Sequence, residues 1–337
     1  MPEKVMLIHG AGGKAMMELI SEVFLKGIEL RRAGRVGLDE LDDGATVELE
    51  GRTLVLTTDS HTVKPLFFPG GDIGRLAVSG TVNDLAVMGA RPLAMSCAMV
   101  AEEGLPISDL EKITASMNSA LKEAGCPLVT GDMKVMGRGE LDGMVLTTTG
   151  LGISEGIITD RGVCPGDIII VSGTIGDHGM TILAKREGIN LDLDLVSDVA
   201  PVWETVDAAL KVGGVTAMKD PTRGGLAAAL NDMSSKSGTG ILIREENIPV
   251  AEPVRAAGEL LGIDPLQITN EGKVVMSVKR EYADRVLEVI RKTKYGRRAA
   301  VIGEATDKYP GQVIVETAMG GRRIMEYPSG DPAPRIC

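Results

Sequence analysis

Aliphatic and β-branched runs alternate along the chain with segments whose apolar residues recur at helical spacing. In the first half, extended patterns predict strands at residues 52–59, 127–130 and 143–153. Helical spacing predicts a helix at 16–27, after a glycine-rich loop at 9–14. A second helix is predicted between a capping Asp72 and a terminating Gly89, and a third between a capping box at Ser108–Glu111 and a stop at Gly125.

The turn-rich segment at residues 159–167 marks a domain boundary. After it, predicted strands at 168–171, 241–244, 274–278 and 300–302 alternate with predicted helices near 179–187, 202–211, 224–236 and 281–292. This alternation is typical of an α/β domain. We therefore predict an N-terminal loop and helix (1–40), an N-terminal domain (41–156), a C-terminal α/β domain (157–326) and a tail (327–337).

The tail reads YPSGDPAPRIC and ends the chain on Cys337. Its three prolines and glycine exclude a helix or an interior strand, so we expect a short, semi-extended and mobile segment. Cysteine is a strong nucleophile and a good acceptor in acyl-type transfer. Cys337 is therefore either a fortuitous terminal thiol or the end of a swinging arm that carries a covalently attached group.

Composition narrows the classes of function. The 337 residues include 47 acidic and 36 basic side chains, and aromatic residues make up 2%. A net charge of −11 repels a phosphate backbone, and few aromatic rings are available for base stacking, so we expect no nucleic-acid partner. The four cysteines form no C-x-x-C pair, which argues against zinc or disulfides. Without an apparent signal peptide or bilayer-length apolar run, we expect a cytoplasmic protein with no membrane partner.

Four aspartates each come where a predicted strand or turn ends, or within an apolar helix. Buried carboxylates that converge repel one another unless a cation lies between them, and hard oxygen ligands suit Mg2+. We predict metal ligation by this set: Asp43, Asp59, Asp84 and Asp132. Each of them alone could equally be a turn residue, a cap or a carboxylate bonded to backbone amides.

No Walker sequence is present, so a bound ATP would need carboxylate-held Mg2+, loop amides and scattered lysines. Lys64 and Lys134 are candidates, although surface lysines are commonly just solvated. Asp220 and Thr222 precede a predicted helix in a glycine-containing segment, where an anion site or plain capping would explain them. Glu271 is either a general base at a cleft or a turn acid.

Several segments of the chain match motifs of one known family: the terminal PRIC, the long run at 61–89, VTGD at 129–132, GTIGDHG at 173–179, MKDPTR at 218–223 and NEGK at 270–273. Together they resemble the HypE family of hydrogenase maturation carbamoyl dehydratases. The acid-bearing segments are shared with a wider superfamily that includes aminoimidazole ribonucleotide synthetase, thiamine monophosphate kinase and selenophosphate synthetase. The terminal cysteine tail selects the HypE family within it.

The resemblance implies a two-domain α/β (α+β) fold of the aminoimidazole ribonucleotide synthetase type, whose N-terminal domain binds ATP and Mg2+ and pairs its sheet with a second copy in a homodimer. It also implies that the carbamoyltransferase HypF loads Cys337, that ATP drives dehydration of the carbamoyl group to a thiocyanate, and that the cyano group passes to iron on a HypC–HypD complex. Catalytic roles then fall to Cys337, Glu271 and Lys134. We assign nucleotide binding to Lys64, Asn83, Gly131, Asp220 and Thr222.

Two alternative hypotheses retain only part of this interpretation. An ATP-dependent kinase or synthetase of the same superfamily would act on a free small molecule, and the tail would be incidental. A carrier or scaffold would pass groups on its terminal thiol and would not bind nucleotide.

Overall fold

The computed structural model describes residues 4–188, 194–328 and 335–337 and contains two main sheets. The first sheet has the order β1-β2-β7-β5-β6, and all of its neighbours are antiparallel except β5 and β6. A two-stranded hairpin, β3 (Phe67–Phe68) with β4 (Gly71–Asp72), precedes its main helix. The strands of the first sheet are β1 (Ala45–Leu49), β2 (Arg52–His61), β5 (Arg91–Glu102), β6 (Leu128–Met136) and β7 (Met144–Ser154).

The second sheet is mixed and has the order β14-β13-β10-β12-β8-β11-β9. Its strands are β8 (Ile168–Val171), β9 (Val215–Lys219), β10 (Gly240–Arg244), β11 (Val275–Val278), β12 (Ala300–Thr306), β13 (Val313–Glu316) and β14 (Arg322–Ile324). The helices are α1 (Gly13–Leu19), α2 (Ile73–Val87), α3 (Ile107–Ala124), α4 (Asp177–Arg186), α5 (Trp203–Val212), α6 (Gly225–Ser237), α7 (Glu252–Leu261) and α8 (Arg280–Ile290). A π-helical segment, Ile20–Leu25, follows α1 directly.

The second sheet is buried on both faces because its strands alternate apolar residues between two cores. Ile169 and Val171 face the core that includes α6, whereas Ile168 and Ile170 face the core that includes α5 and α8. An unbroken β-branched run such as β8 is what this two-sided burial requires.

Helix α2 lies between the two sheets and is buried along almost its whole length. The Asp72 carboxylate caps its first turn by accepting hydrogen bonds from the amides of Gly74 (2.8 Å) and Arg75 (3.0 Å). Leu76 and its neighbours pack into the core of the first sheet, while Val87 packs into a core of the second. One helix therefore fixes the relative position of the two halves.

The α/β fold class and most predicted elements are confirmed, with two corrections. The capping box at Ser108 is wrong, because α3 begins at Ile107 after Pro106 and Ser108 lies inside the first turn. Asp132 does not follow a short strand, because β6 continues through it to Met136. The pattern also missed five strands of the two main sheets and one helix: β1, β5, β9, β13, β14 and α7.

Among the described residues, no helix has both the length and the apolar character that crossing a bilayer would require. The predicted mobile tail is described only in part: residues 329–334 lie outside the described residues.

The close packing of α2 on α3 generates a stability prediction. A Cβ at Gly74 would lie 2.4 Å from the Ile113 carbonyl oxygen and 2.8 Å from Met117 Cγ. Gly74→Ala should therefore lower the free energy of unfolding by about 1–3 kcal/mol, although alanine is the better helix former. Urea denaturation measures the change. Gly156→Ala is the matched control, since among the described residues no atom lies within 4 Å of its ideal Cβ; equal effects of the two variants would contradict the packing argument.

Candidate active site

A cavity of about 500 Å3 lies where β2, α2, the segment before β1 and the loop after β9 meet. It brings together seven of the residues singled out in the sequence: Asp43, Asp59, Asp84, Asp220, Thr222, Glu271 and Cys337. The first turn of α1 also lines it. Gly12 has φ +71°, and a Cβ there would lie 2.8 Å from Arg223 Cβ, so only glycine fits that approach.

The acids on the first domain are placed by β2 and α2. Asp59 projects from β2, and Asp84 lies in the last turn of α2. Thr57, two residues before Asp59 on the same face of β2, places its Oγ1 2.7 Å from Asp84 Oδ2 and 2.9 Å from the Asp43 carbonyl oxygen. The hydroxyl therefore ties helix, strand and loop together at the cavity wall.

Two asparagines hold the loops that carry the remaining acids. Asn270 donates from Nδ2 to the Pro221 carbonyl (3.0 Å) and accepts from the Gly176 amide (2.7 Å). Asn83 on α2 donates to the Glu271 carbonyl (3.2 Å) and accepts from the Val202 amide (2.8 Å). These bonds fix the backbones of the Asp220 and Glu271 loops relative to α2.

Burial and mutual repulsion dominate the electrostatics of this site. Burial, followed by the neighbouring Asp59, Asp220 and Asp43 charges, raises the pKa of Asp84 well above its usual range. Burial and neighbouring acids likewise hold the pKa of Asp220 and of Glu271 well above their ordinary values. The cavity therefore favours protonated carboxyls until a cation reduces the repulsion.

The carboxylates have the chemistry of a magnesium site. Asp43 Oδ2, Asp220 Oδ2 and Glu271 Oε1 are buried and have no hydrogen-bond partner among the described residues. In that same part of the chain, no three His, Cys, Asp or Glu side chains are arranged to enclose an ion by themselves. The unpartnered carboxylate oxygens are hard ligands of the kind that Mg2+ prefers, and proteins commonly hold Mg2+ through one or two carboxylates together with substrate phosphates and water.

Two cationic side chains that line the cavity, Lys219 and Arg223, were not identified from the sequence. Lys219 Nζ lies 2.5 Å from Asp43 Oδ1; burial alone would lower its pKa, but the charges of Asp43 and Asp160 raise it well above its usual value. The charge of Cys337 raises the pKa of Arg223 against the effect of burial. Both residues directly flank the predicted Asp220–Thr222 segment. Their position beside that segment could have identified them from the sequence.

Asp132, Gly131 and Lys134 lie away from the cavity, on the exposed edge strand β6. The strand register places Asp59 level with Gly131, so Asp132 points to the opposite face of the sheet. Three strand spacings of roughly 4.8 Å each also separate β2 from β6. Asp132 instead pairs with Lys134, Oδ2 to Nζ at 2.5 Å. Within one chain these residues cannot share an ion with Asp59, and their site roles stay predictions.

Lys64 and Asn83 also do not line the cavity. Lys64 Nζ pairs with Asp142 at 2.7 Å. Asn83 is buried, where it makes the hydrogen bonds to the Glu271 carbonyl and the Val202 amide described above. Their predicted roles in nucleotide binding are likewise untested. Cys337 does line the cavity, and its carbonyl oxygen accepts a hydrogen bond from the Thr62 amide at 3.2 Å.

Two family models match the chain: AIR synthase related protein, N-terminal domain, over residues 41–154, and its C-terminal domain over residues 164–316. The carbamoyl dehydratase HypE of Azotobacter vinelandii is 46% identical to this chain, over 99% of it and 97% of the relative.

Solved structures agree with these matches. A HypE in complex with ATP superposes with a TM-score of 0.82 at 42% identity, covering 99% of this chain and all (100%) of that one. A chain of a HypE–HypF complex superposes with a TM-score of 0.86 at 44% identity, covering 92% of this chain and 99% of that one. The resemblance drawn from the motifs is confirmed.

The raised pKa of Glu271 predicts a pH-dependent stability. Its folded pKa lies above the value in the unfolded chain, so the folded state binds the proton more tightly and loses stability as the pH rises from about 4.5 through the raised pKa. Glu271→Gln removes this effect. Without added ligands, the variant should be more stable than the wild type at pH 8, by about 1 kcal/mol or more, and unfold at least roughly 1–2 °C higher.

Thermal unfolding between pH 5 and pH 8 measures this difference, which should grow with pH. Glu103→Gln, at an exposed carboxylate, is the control and should change little. A difference that stays constant with pH, or that favours the wild type at pH 8, would refute the electrostatic interpretation.

Proposed function

Because this chain belongs to the HypE carbamoyl dehydratase family of AIR synthase-related proteins, we propose that it uses ATP to dehydrate an S-carbamoyl group on its own Cys337. The product is a thiocyanate, whose cyano group becomes a cyanide ligand of the iron in [NiFe]-hydrogenase. The observation that supports this most directly is the position of Cys337 in a cavity lined by six aspartates and Glu271.

The chemistry explains why such a cavity is needed. The oxygen of a thiocarbamate is a poor leaving group, and transfer of the γ-phosphoryl group to it creates phosphate as the leaving group. The C–O bond then breaks while the nitrogen loses its protons and forms the C≡N bond. The overall change converts R–S–CO–NH2 and ATP into R–S–CN, ADP and phosphate.

Magnesium would be held by Asp43, Asp59 and Asp84, and it would offset the negative charge of the transferred phosphoryl group. Thr222 and Asp220 precede α6, whose first turn offers amides to phosphate oxygens. The HypE structure with bound ATP supports nucleotide binding in this family.

Glu271 is the proposed base for the nitrogen protons. It lines the same cavity as Cys337, and its raised pKa brings it closer to the range in which a general base works at neutral pH. Arg223 carries a charge that interacts with Cys337, so it is positioned to orient the end of the tail. Lys134 would contribute only from a second chain, where it would stabilise charge.

A homodimer is proposed from the edge of the first sheet. Strand β6 has exposed residues throughout and a free backbone edge within the described chain, and it carries the apolar side chains of Val129, Met133 and Val135. Such an edge is suited to strand pairing with a second copy. Pairing would also bring Asp132 and Lys134 next to another subunit.

HypF is the proposed source of the carbamoyl group, supported by the HypE–HypF complex among the similar structures. A HypC–HypD complex is the proposed acceptor of the cyano group, by family resemblance. Release of the cyano carbon as cyanide leaves Cys337 as a thiolate and consumes two electrons, so the proposed acceptor has to supply both the iron and those electrons.

The reaction predicts a specific mass change. With Cys337 carbamoylated, addition of ATP and Mg2+ should remove the mass of one water from the C-terminal peptide, as read by mass spectrometry. Glu271→Gln should slow this loss by roughly two to four orders of magnitude, while Glu103→Gln should react like the wild type. If the carbamoylated wild-type chain lost no water after addition of ATP and Mg2+, the proposal would be wrong. If deletion of Arg335–Cys337 left turnover of a free small substrate intact, the kinase or synthetase alternative would stand instead.

The dimer predicts a change in oligomeric state. Val135 is 63% exposed in the single chain, and Val135→Lys should convert the dimer to a monomer in light scattering after size exclusion. Leu49→Lys, at the β1 edge of the same sheet and 57% exposed, should leave the dimer unchanged. A wild-type monomer, or a Val135→Lys dimer, would contradict pairing through β6.

A further inference from the structure

The last three residues of the chain, Arg335–Cys337, lie along residues 62–64 in a cleft beside the cavity. Each of their carbonyl groups is bound. The Cys337 carbonyl accepts from the Thr62 amide at 3.2 Å, and the Arg335 carbonyl accepts from the Lys64 amide at 3.2 Å. Alternate residues of the tail therefore pair with alternate residues of the 62–64 segment, and the tail bends at Arg335, whose φ is +59°.

Two side chains complete the capture of the backbone. His178 Nε2 lies 3.0 Å from the Ile336 carbonyl oxygen, and its Nδ1 lies 2.8 Å from Ser197 Oγ, which fixes the ring. Arg186 donates from Nη2 to the Arg335 carbonyl (2.7 Å) and to the Lys64 carbonyl (2.8 Å). Every carbonyl of the three-residue segment therefore has a defined donor.

The Arg335 side chain has its own binding position. Its Nη1 lies 2.7 Å from Asp142 Oδ2, and its Nε donates to the Thr62 carbonyl at 3.0 Å. Lys64 Nζ contacts the same Asp142 oxygen at 2.7 Å. Hydrogen bonds from Lys64 and Arg335 hold the pKa of Asp142 below its usual range, so the carboxylate is ionised when the tail docks. A guanidinium is favoured at this position, and an acid is disfavoured.

The Ile336 side chain occupies an apolar position. It is only 2% exposed and belongs to the same core cluster as Val63 and Phe68. The Phe68 ring also packs edge-on against the His178 ring, with 5.3 Å between centroids. A charged residue in place of Ile336 would be buried without a partner, which is costly.

We propose that this cleft is a sequence-specific peptide site, which binds a separate chain ending in Arg-Ile-Cys as it binds the protein's own tail. The contacts above are made by the last three residues themselves: one ionic position, one apolar position and three bound carbonyls. Recognition therefore does not need the covalent connection to residue 328. The inference deepens the proposed function, since such a peptide presents its cysteine to the cavity, but peptide binding is measurable without any turnover.

In the intact chain, the attached tail competes with added peptide for this site. A short tether gives the attached tail an effective concentration in roughly the millimolar range. A variant whose own tail cannot dock is therefore required. Ile336→Asp in the full-length chain removes the apolar anchor while leaving the rest of the protein unchanged.

The experiment uses this full-length Ile336→Asp chain and a synthetic heptapeptide of sequence DPAPRIC, labelled at its N-terminus, with fluorescence anisotropy as the readout. We expect saturable binding to the variant and at least tenfold weaker binding to the wild-type chain. Peptides with Glu in place of the arginine, or Asp in place of the isoleucine, should bind at least tenfold more weakly than the parent peptide.

A charge reversal provides the second test. Adding Asp142→Arg to the Ile336→Asp chain should weaken binding of the parent peptide. It should strengthen binding of the peptide that carries Glu in place of arginine. The Arg335→Glu full-length chain replaces Ile336→Asp if the latter unfolds, as judged by circular dichroism. Absence of saturable binding up to millimolar peptide, or equal binding of all peptides, overturns the proposal. Either result leaves the mass measurement on the intact chain unaffected, so the two proposals fail separately.

Discussion

The burial of α2 on all sides is the constraint on which the rest of the structure depends. A helix that packs against two sheets must be apolar around its whole circumference, and glycine at position 74 allows it to approach α3 closely. Asp84 and Asn83 are polar exceptions in this helix. Because the helix cannot rotate without unpacking both cores, these two side chains are held in fixed directions: one into the cavity and one onto the Glu271 loop.

The acids that this arrangement holds in the cavity lower the stability of the folded protein. Asp84, Asp220 and Glu271 all have pKa values raised by burial and by one another, which means that their ionised forms oppose folding. The protein offsets part of the charge internally, since Lys219 pairs with Asp43 and Lys236 with Asp160. An incoming cation that binds Asp43 therefore competes with the Lys219 ammonium, whose second carboxylate neighbour, Asp160, lies 3.7 Å away. Exchange of partners by Lys219 would keep every charge balanced while the site fills.

The sequence predicted what depends on local pattern and left out what depends on pairing between distant segments. Asp84 was recognisable because a carboxylate in an apolar helix is costly without a function, and Asp72 was recognisable as a cap. We expected Asp132 beside the other acids. Its position depends on the order of the strands and on which face of the sheet its side chain occupies, and local hydrophobic periodicity predicts neither. Arg335 and Asp142 contact each other across 193 residues of sequence, so only the folded chain identifies Asp142 as part of the tail site.

The strength of tail docking must also suit its purpose, because a cysteine that enters the cavity has to leave it again. Hydrogen bonds to the three tail carbonyls and burial of the Ile336 side chain favour docking, whereas the half-exposed Arg335–Asp142 pair adds little. Ordering three residues costs conformational entropy that offsets most of this gain, so the docked tail is held by a small margin. A tail bound much more tightly would keep its cargo in the cavity, and one bound much more weakly would not present the sulfur to Glu271; the three-residue anchor lies between these limits because it combines one buried side chain with one ion pair that remains open to solvent.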